Sequence, residues 1–182
     1  MSWREPSVYL GGHIAGLKYG CAVDWRAEAI ESFRRDEILG ISPMRYKEFL
    51  QITGKARLDE TESPPVDSYE AMLLSDDFVS LRAETDIRRS TLLLANFVYP
   101  GERLEEISRM ITKGTLIEFG IARGARKPIV TVMEPGNVHN HAMVRALSDY
   151  ILPDIETGIK VAKAILLPGK NFINVEGFRP RC

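Results

Sequence analysis

One carboxylate stands alone in KGTLIEFGIARGARKPIV, residues 113–130: Glu118, in a run that is otherwise apolar between Thr115 and Arg123. Two readings fit it. Thr115-x-x-Glu118 has the spacing of a capping box, in which the threonine oxygen accepts the third helical amide and the glutamate reaches back to the threonine amide. The other reading is catalytic. In the first turn of a helix, the macrodipole and the free amides would hold a carboxylate ionised. An ionised carboxylate that faces a pocket can attack a sugar carbon.

Other residues carry the same kind of double reading. Tyr9, in SVYLGG, is a core aromatic with its hydroxyl satisfied or a site residue at the carboxyl end of a strand. Arg45, in SPMR, is a surface charge or a bidentate fork for phosphate or carboxylate. His139 and His141 begin a helix, where they would cap it, meet another subunit or touch substrate. Spaced by two, they cannot share one helical face as metal ligands would. Arg88 and Arg89 read as a solvated helix face, and Trp25 and Met44 as packing.

The elements that must position these residues alternate along the chain. SVYLGG, EILGISP, TLLLANF, PIVTVM and YILP read as five short strands, TLLLANF being a continuous apolar run of the kind buried on both faces. CAVDWRAEAIESFRR reads as an amphipathic helix with Val23, Ala27, Ile30 and Phe33 on its apolar face. NHAMVRALSDY and DIETGIKVAKAILL are helical as well. Strands separated by helices predict an α/β fold with a parallel sheet of about five strands and helices on both faces. Residues 54–77 and 99–113 read as long loops. In such a sheet ligands bind beyond the carboxyl ends of the strands. The glycine turn after VYL, SPMR, the loop after LLLANF and the start of the Glu118 helix all belong on that rim.

Composition narrows the function classes. Lys plus Arg number 24 against 25 Asp plus Glu, a formal net charge of −1, without the basic footprint of a protein that binds polymeric nucleic acid. No apolar run reaches the length of a membrane span, and MSWREPSVYL lacks the plan of a signal peptide. Cys21 and Cys182 lie far apart, so neither a disulfide framework nor a zinc site is expected. The 182 residues read as a single cytoplasmic domain that needs no metal and no cofactor.

The order and spacing of VYLGGHIAGLKYG, DWR, SPMR, DIRRSTLLLAN, GTLIEFGIARGARKPIV and NVHNHAM resemble the nucleoside 2-deoxyribosyltransferase family, which includes related deoxynucleotide N-glycosidases. The resemblance runs from Val8 to Leu166. It implies a flavodoxin-like, Rossmann-like fold and cleavage of an N-glycosidic bond through a glutamate nucleophile, by base exchange or hydrolysis. Glu118 matches that nucleophile, and Tyr9 the tyrosine that orients it. Gly11 and Gly12 match the tight turn at the substrate. Thr112, six residues before Glu118, falls where members carry a group that contacts sugar or phosphate. Gly114 and Thr115 match the pair that precedes the nucleophile. Asn137, His139, Asn140 and His141 match a segment that reaches a neighbouring subunit's site, with Asn140 and His141 expected at substrate. A homodimer or higher homo-oligomer follows from this. The chain departs from the pattern at Ala83, where members place an acid near the leaving base; either Asp86, three residues on, is the catalytic acid in its place, or leaving-group assistance is absent and turnover is slow, the outcome favoured here. His13 stands where a proline is usual.

The partners expected are a nucleoside or nucleotide and a free base, with no polymeric nucleic acid and no membrane. Two alternatives stand beside base exchange: a nucleoside 5′-monophosphate N-glycosidase, suggested by Thr112 and Arg45, and a nucleotide-binding module with little or no turnover, suggested by Ala83.

Overall fold

A computed structural model of the chain describes residues 5–57, 69–98 and 112–167. Five strands form one sheet: β1 (Ser7–Gly12), β2 (Leu39–Ile41), β3 (Leu92–Asn96), β4 (Ile129–Val132) and β5 (Tyr150–Leu152). Every pairing is parallel and the order is β2-β1-β3-β4-β5. This is the flavodoxin-like order of a doubly wound sheet. Helices α1 (Tyr19–Arg34), α2 (Tyr69–Leu74), α3 (Asp76–Arg89), α4 (Lys113–Gly124), α5 (Ala142–Leu147) and α6 (Ile155–Leu166) connect the strands, with a 3-10 turn at Glu48–Thr53.

Alternation along the strands divides the core into two layers. Val8, Leu10, Leu92, Leu94, Val130 and Val132 pack on one face against Trp25, Ala29 and Phe33 of α1 and Ala162 of α6. Tyr9, Leu93, Ala95 and Ile129 pack on the other, against Ile87 of α3, Phe119 and Ala122 of α4 and Val144 of α5. The sheet is therefore covered on both faces. None of the helices among the described residues is long and apolar enough to cross a membrane.

Three boundaries differ from the sequence reading. The stretch 54–77 ends in helix rather than loop, because Tyr69–Leu74 forms α2 and Ser75 caps α3 by accepting from the Phe78 amide. Residues 58–68 of that stretch, and 99–111 of the other long loop, lie outside the described residues. Of the second loop, Lys113 is already helical. The helix expected across 140–150 covers only Ala142–Leu147, since His141 caps its start and Tyr150 enters β5.

The apolar face of α1 is also rotated. The buried residues are Ala22, Trp25, Arg26, Ala29 and Phe33, while Ala27 is exposed and Val23 and Ile30 are half-buried. The expected stripe is displaced by one residue, about 100° around the helix. The cause is Arg26, a charged side chain that is turned into the protein.

Candidate active site

The strand order reverses between β1 and β3, since the chain leaves β1 toward β2 on one side and returns on the other. At their carboxyl ends Gly11 pairs with Ala95 and Gly12 with Asn96. A doubly wound sheet opens a crevice at this point. Tyr9 lies two residues earlier on β1, and its side chain belongs to the layer beneath α4. Its hydroxyl donates to Oε1 of Glu118 at 2.7 Å. Two residues 109 positions apart in sequence are thus joined across strand and helix, as the sequence reading expects.

The start of α4 is built differently from that reading. Thr112, not Thr115, is the N-cap, and its hydroxyl accepts from the Thr115 amide. Thr115 is buried, with its own hydroxyl 3.0 Å from that of Thr112. Glu118 consequently falls in the second turn and caps nothing. The helix dipole acts mainly within the first turn, so burial wins. Although Glu118 as a whole is partly buried, its Oε2 is enclosed and has no hydrogen-bond partner among the described residues. Burial raises its pKa to about 7, opposed by the Tyr9 hydroxyl and by the charge of Arg26. The expectation that the helix keeps this carboxylate ionised is therefore corrected: desolvation outweighs the dipole. Tyr9 is pushed up in turn, first by burial and then by Glu118.

Gly11 explains how the carboxylate fits. A Cβ at this residue would lie 3.0 Å from Glu118 Oε2 and 3.1 Å from Leu93 Cδ1. A side chain here would crowd the carboxylate, and glycine avoids that contact. Gly114 sits in the first turn of α4, where a Cβ would meet open space. Gly12 offers its carbonyl to Arg26 at 3.0 Å.

Arg26 is the residue the sequence reading left without a role. It is 1 % exposed. Besides Gly12 it donates to the carbonyls of Leu10, at 3.1 Å, and Ala22, and its guanidinium lies 4.5 Å above the Trp25 ring. It therefore ties the glycine turn to α1 and contributes the positive charge that opposes burial at Glu118. The available signal was an arginine in step with Ala22 and Ala29, which a helical count alone reads as a surface charge.

The NVHNHAM segment divides in two. Asn137 and His139 turn inward. Asn137 donates from Nδ2 to the Phe97 carbonyl at 3.1 Å, and its Oδ1 receives both the amide and Nδ1 of His139, at 2.9 and 2.8 Å. The His139 ring stacks on Phe97 at 4.3 Å. With the proton on Nδ1, Nε2 is free to accept, and it takes the Thr112 amide at 3.0 Å. Burial and the neighbouring His13 lower the His139 pKa to about 4. These two residues anchor α4 within their own chain. Asn140 and His141 are exposed: Asn140 Oδ1 accepts from Arg145 at 2.8 Å, and His141 Nδ1 caps α5 at Met143.

Arg45 and Asp86 find each other. Two guanidinium nitrogens donate to the two carboxylate oxygens at 2.6 and 2.8 Å. The fork expected to hold phosphate is occupied by the chain's own carboxylate, and the acid expected to assist the leaving base is its partner. Ala83 and Asp86 are both on α3, on the Tyr9 side of the sheet. An apolar cavity of about 250 Å³ lies at Leu116, Phe119, Val138, His139 and Met143, but neither Tyr9 nor Glu118 lines it. The described residues hold no cluster of three His, Cys, Asp or Glu suited to a metal.

No family model matches the chain, and no curated protein matches it significantly. Among solved structures it is similar to the solution structure of BlsM, with a TM-score of 0.52 and 18% sequence identity, over 91% of this chain and 96% of that one. That likeness shows the fold alone.

Proposed function

We propose that the chain cleaves the N-glycosidic bond of a nucleoside or nucleotide, with the Glu118 carboxylate attacking the anomeric carbon. The observation that carries this reading is the Glu118 carboxylate itself: Oε1 is oriented by Tyr9, and Oε2 is enclosed, without a partner among the described residues, and set over Gly11 at the switch point. A buried polar atom without a partner calls for an explanation, and an oxygen kept for a reacting carbon supplies one. The resemblance described from the sequence supports the same assignment.

The steps follow from the chemistry. Oε2 forms a bond to the anomeric carbon as the carbon–nitrogen bond breaks, and that electron pair departs on the base. The base nitrogen takes a proton from solvent. Water or an acceptor base then attacks the same carbon, loses its proton and releases the glutamate. Oxocarbenium character in both steps is stabilised by the adjacent carboxylate. Only the ionised form attacks, so kcat/KM should rise with pH through about 7, the pKa of Glu118.

The test is base release from deoxynucleosides and deoxynucleoside monophosphates, with and without an acceptor base. Glu118→Ala should abolish release, and mass spectrometry of wild type should find a sugar adduct on the peptide holding Glu118. Undiminished turnover in the variant would overturn the assignment. Release that requires the acceptor base identifies transfer, and release into water alone identifies hydrolysis.

A further inference from the structure

A second cavity lies at the opposite end of β4 from the candidate site, where the end of α4 leads into the strand. It measures about 270 Å³ and is lined by Arg123, Arg126, Lys127, Pro128 and Asp149. Three cations thus share one cavity with a single carboxylate, and that carboxylate is engaged. Asp149 Oδ2 accepts the Ile129 amide at 2.8 Å, and Oδ1 accepts from Arg123 at 3.3 Å. The ion pairs among the described residues leave Arg126 and Lys127 without a carboxylate.

Cations at a helix end have an ordinary explanation, the negative pole of the helix dipole. It accounts for Arg123, in the last turn of α4. It does not account for Arg126. The Lys127 amide donates to the Ala122 carbonyl and the Arg126 amide to that of Arg123, both at 2.9 Å, which closes α4 with a Schellman motif. Arg126 therefore occupies the left-handed position of that motif, with φ of 56°. Glycine ordinarily fills this position, because a Cβ is strained there. The chain keeps a long cationic side chain where its backbone favours none, and that side chain lines the cavity. Strain held in place by its surroundings is a feature of ligand clamps.

We propose that Arg126 and Lys127, with Arg123 beside them, form a subsite for a phosphoryl group, carried by a small molecule or free as inorganic phosphate. A phosphate monoester bears about −1.5 to −2 charges near neutral pH, which matches the two cations that lack a carboxylate. Guanidinium forks suit its oxygens, and an ammonium adds a point charge. The wall opposite is fixed, since Asp149 also donates its amide to the Ile129 carbonyl at 2.9 Å and so locks the start of β5 to the start of β4. The subsite stands apart from the Glu118 rim and holds whether or not Glu118 attacks a sugar.

Isothermal titration calorimetry of the full chain near neutral pH and at low salt tests it, with inorganic phosphate, glycerol 3-phosphate and succinate as probes. Arg126→Gly removes the charge and relieves the backbone at once. It should withstand at least as much denaturant as wild type, while its phosphate affinity falls about ten-fold or more. Lys127→Met should weaken phosphate similarly. Succinate, a dianion without the tetrahedral head, should bind wild type about ten-fold more weakly than phosphate or worse. Tighter binding of glycerol 3-phosphate than of phosphate supports a monoester as the ligand, and the reverse order supports the free ion. No phosphate binding by wild type, wild-type affinity in Arg126→Gly, a loss of stability in that variant, or succinate bound as well as phosphate would each overturn the proposal.

Discussion

Glu118 and His139 titrate in opposite senses over nearly the same range. The pKa of Glu118 rises from 4.5 to about 7 on folding, so between these values the folded chain holds a proton that the unfolded chain has lost. Stability therefore falls as pH rises through that window. His139 moves from 6.5 to about 4, and there the unfolded chain holds the extra proton. Its contribution is present above pH 6.5 and is lost as pH falls toward 4. The two slopes oppose each other, so a variant must remove one to reveal the other. Glu118→Gln should gain stability over wild type as pH is raised from 4.5 to 8, by at most roughly 3 kcal/mol. Chemical denaturation at several pH values reads this directly, and a constant difference would refute the raised pKa. Tyr9→Phe removes the hydrogen bond that lowers the Glu118 pKa. The ascending limb of its pH–rate profile should move above pH 7, with turnover falling most at neutral pH.

At the scale of elements, the question is what holds α4 against β1. The helix begins at a chain of contacts running from the end of β3: Phe97 carbonyl, Asn137, His139, Thr112. His139→Phe would keep the stacking on Phe97 but leave the Thr112 amide without its acceptor. Hydrogen exchange at the first turn of α4 should quicken, with a stability loss of about 1–3 kcal/mol, and its acid sensitivity below pH 6.5 should disappear. His139→Gln, which offers an oxygen to the same amide, should restore part of the protection. Unchanged exchange in His139→Phe would show that the cap at Thr112 suffices. The α1 helix makes a different point. Its position and length are written in apolar spacing, but its rotation is set by Arg26, whose carbonyl partners lie on β1 and in its own first turns.

Over the whole molecule, the two packed faces carry different duties. The α1 and α6 face is apolar packing apart from Arg26, which reaches the glycine turn; the Tyr9 face holds the candidate site. Gly158 of α6 shows how tightly the first is packed, since a Cβ there would lie 2.6 Å from Val132 Cγ2 and 3.3 Å from Leu94 Cδ1. Gly158→Ala should destabilise the fold by about 1–3 kcal/mol, measured by denaturant titration. Because the clash is on the far side of the sheet from Glu118, base release per folded molecule should be unchanged. A specific loss of activity without loss of stability would contradict this separation of the faces.

The amino-acid sequence alone determined the strands, their parallel pairing and the convergence of Tyr9, Gly11 and Glu118 on one rim. Continuous apolar runs, glycine turns and helical spacing are local signals, and the order of strands and helices leaves few topologies open. Tertiary structure alone decided the environment of each polar group. Thr112 rather than Thr115 caps α4 because the Thr112 amide reaches His139, 27 residues away. The Arg45 fork closes on Asp86 across 41 residues instead of waiting for a ligand. Arg26 is buried because three backbone carbonyls surround it. Whether Glu118 is charged was equally beyond local reading, since burial around Oε2, assembled from β1, β3 and α4, outweighs a helix end one turn away.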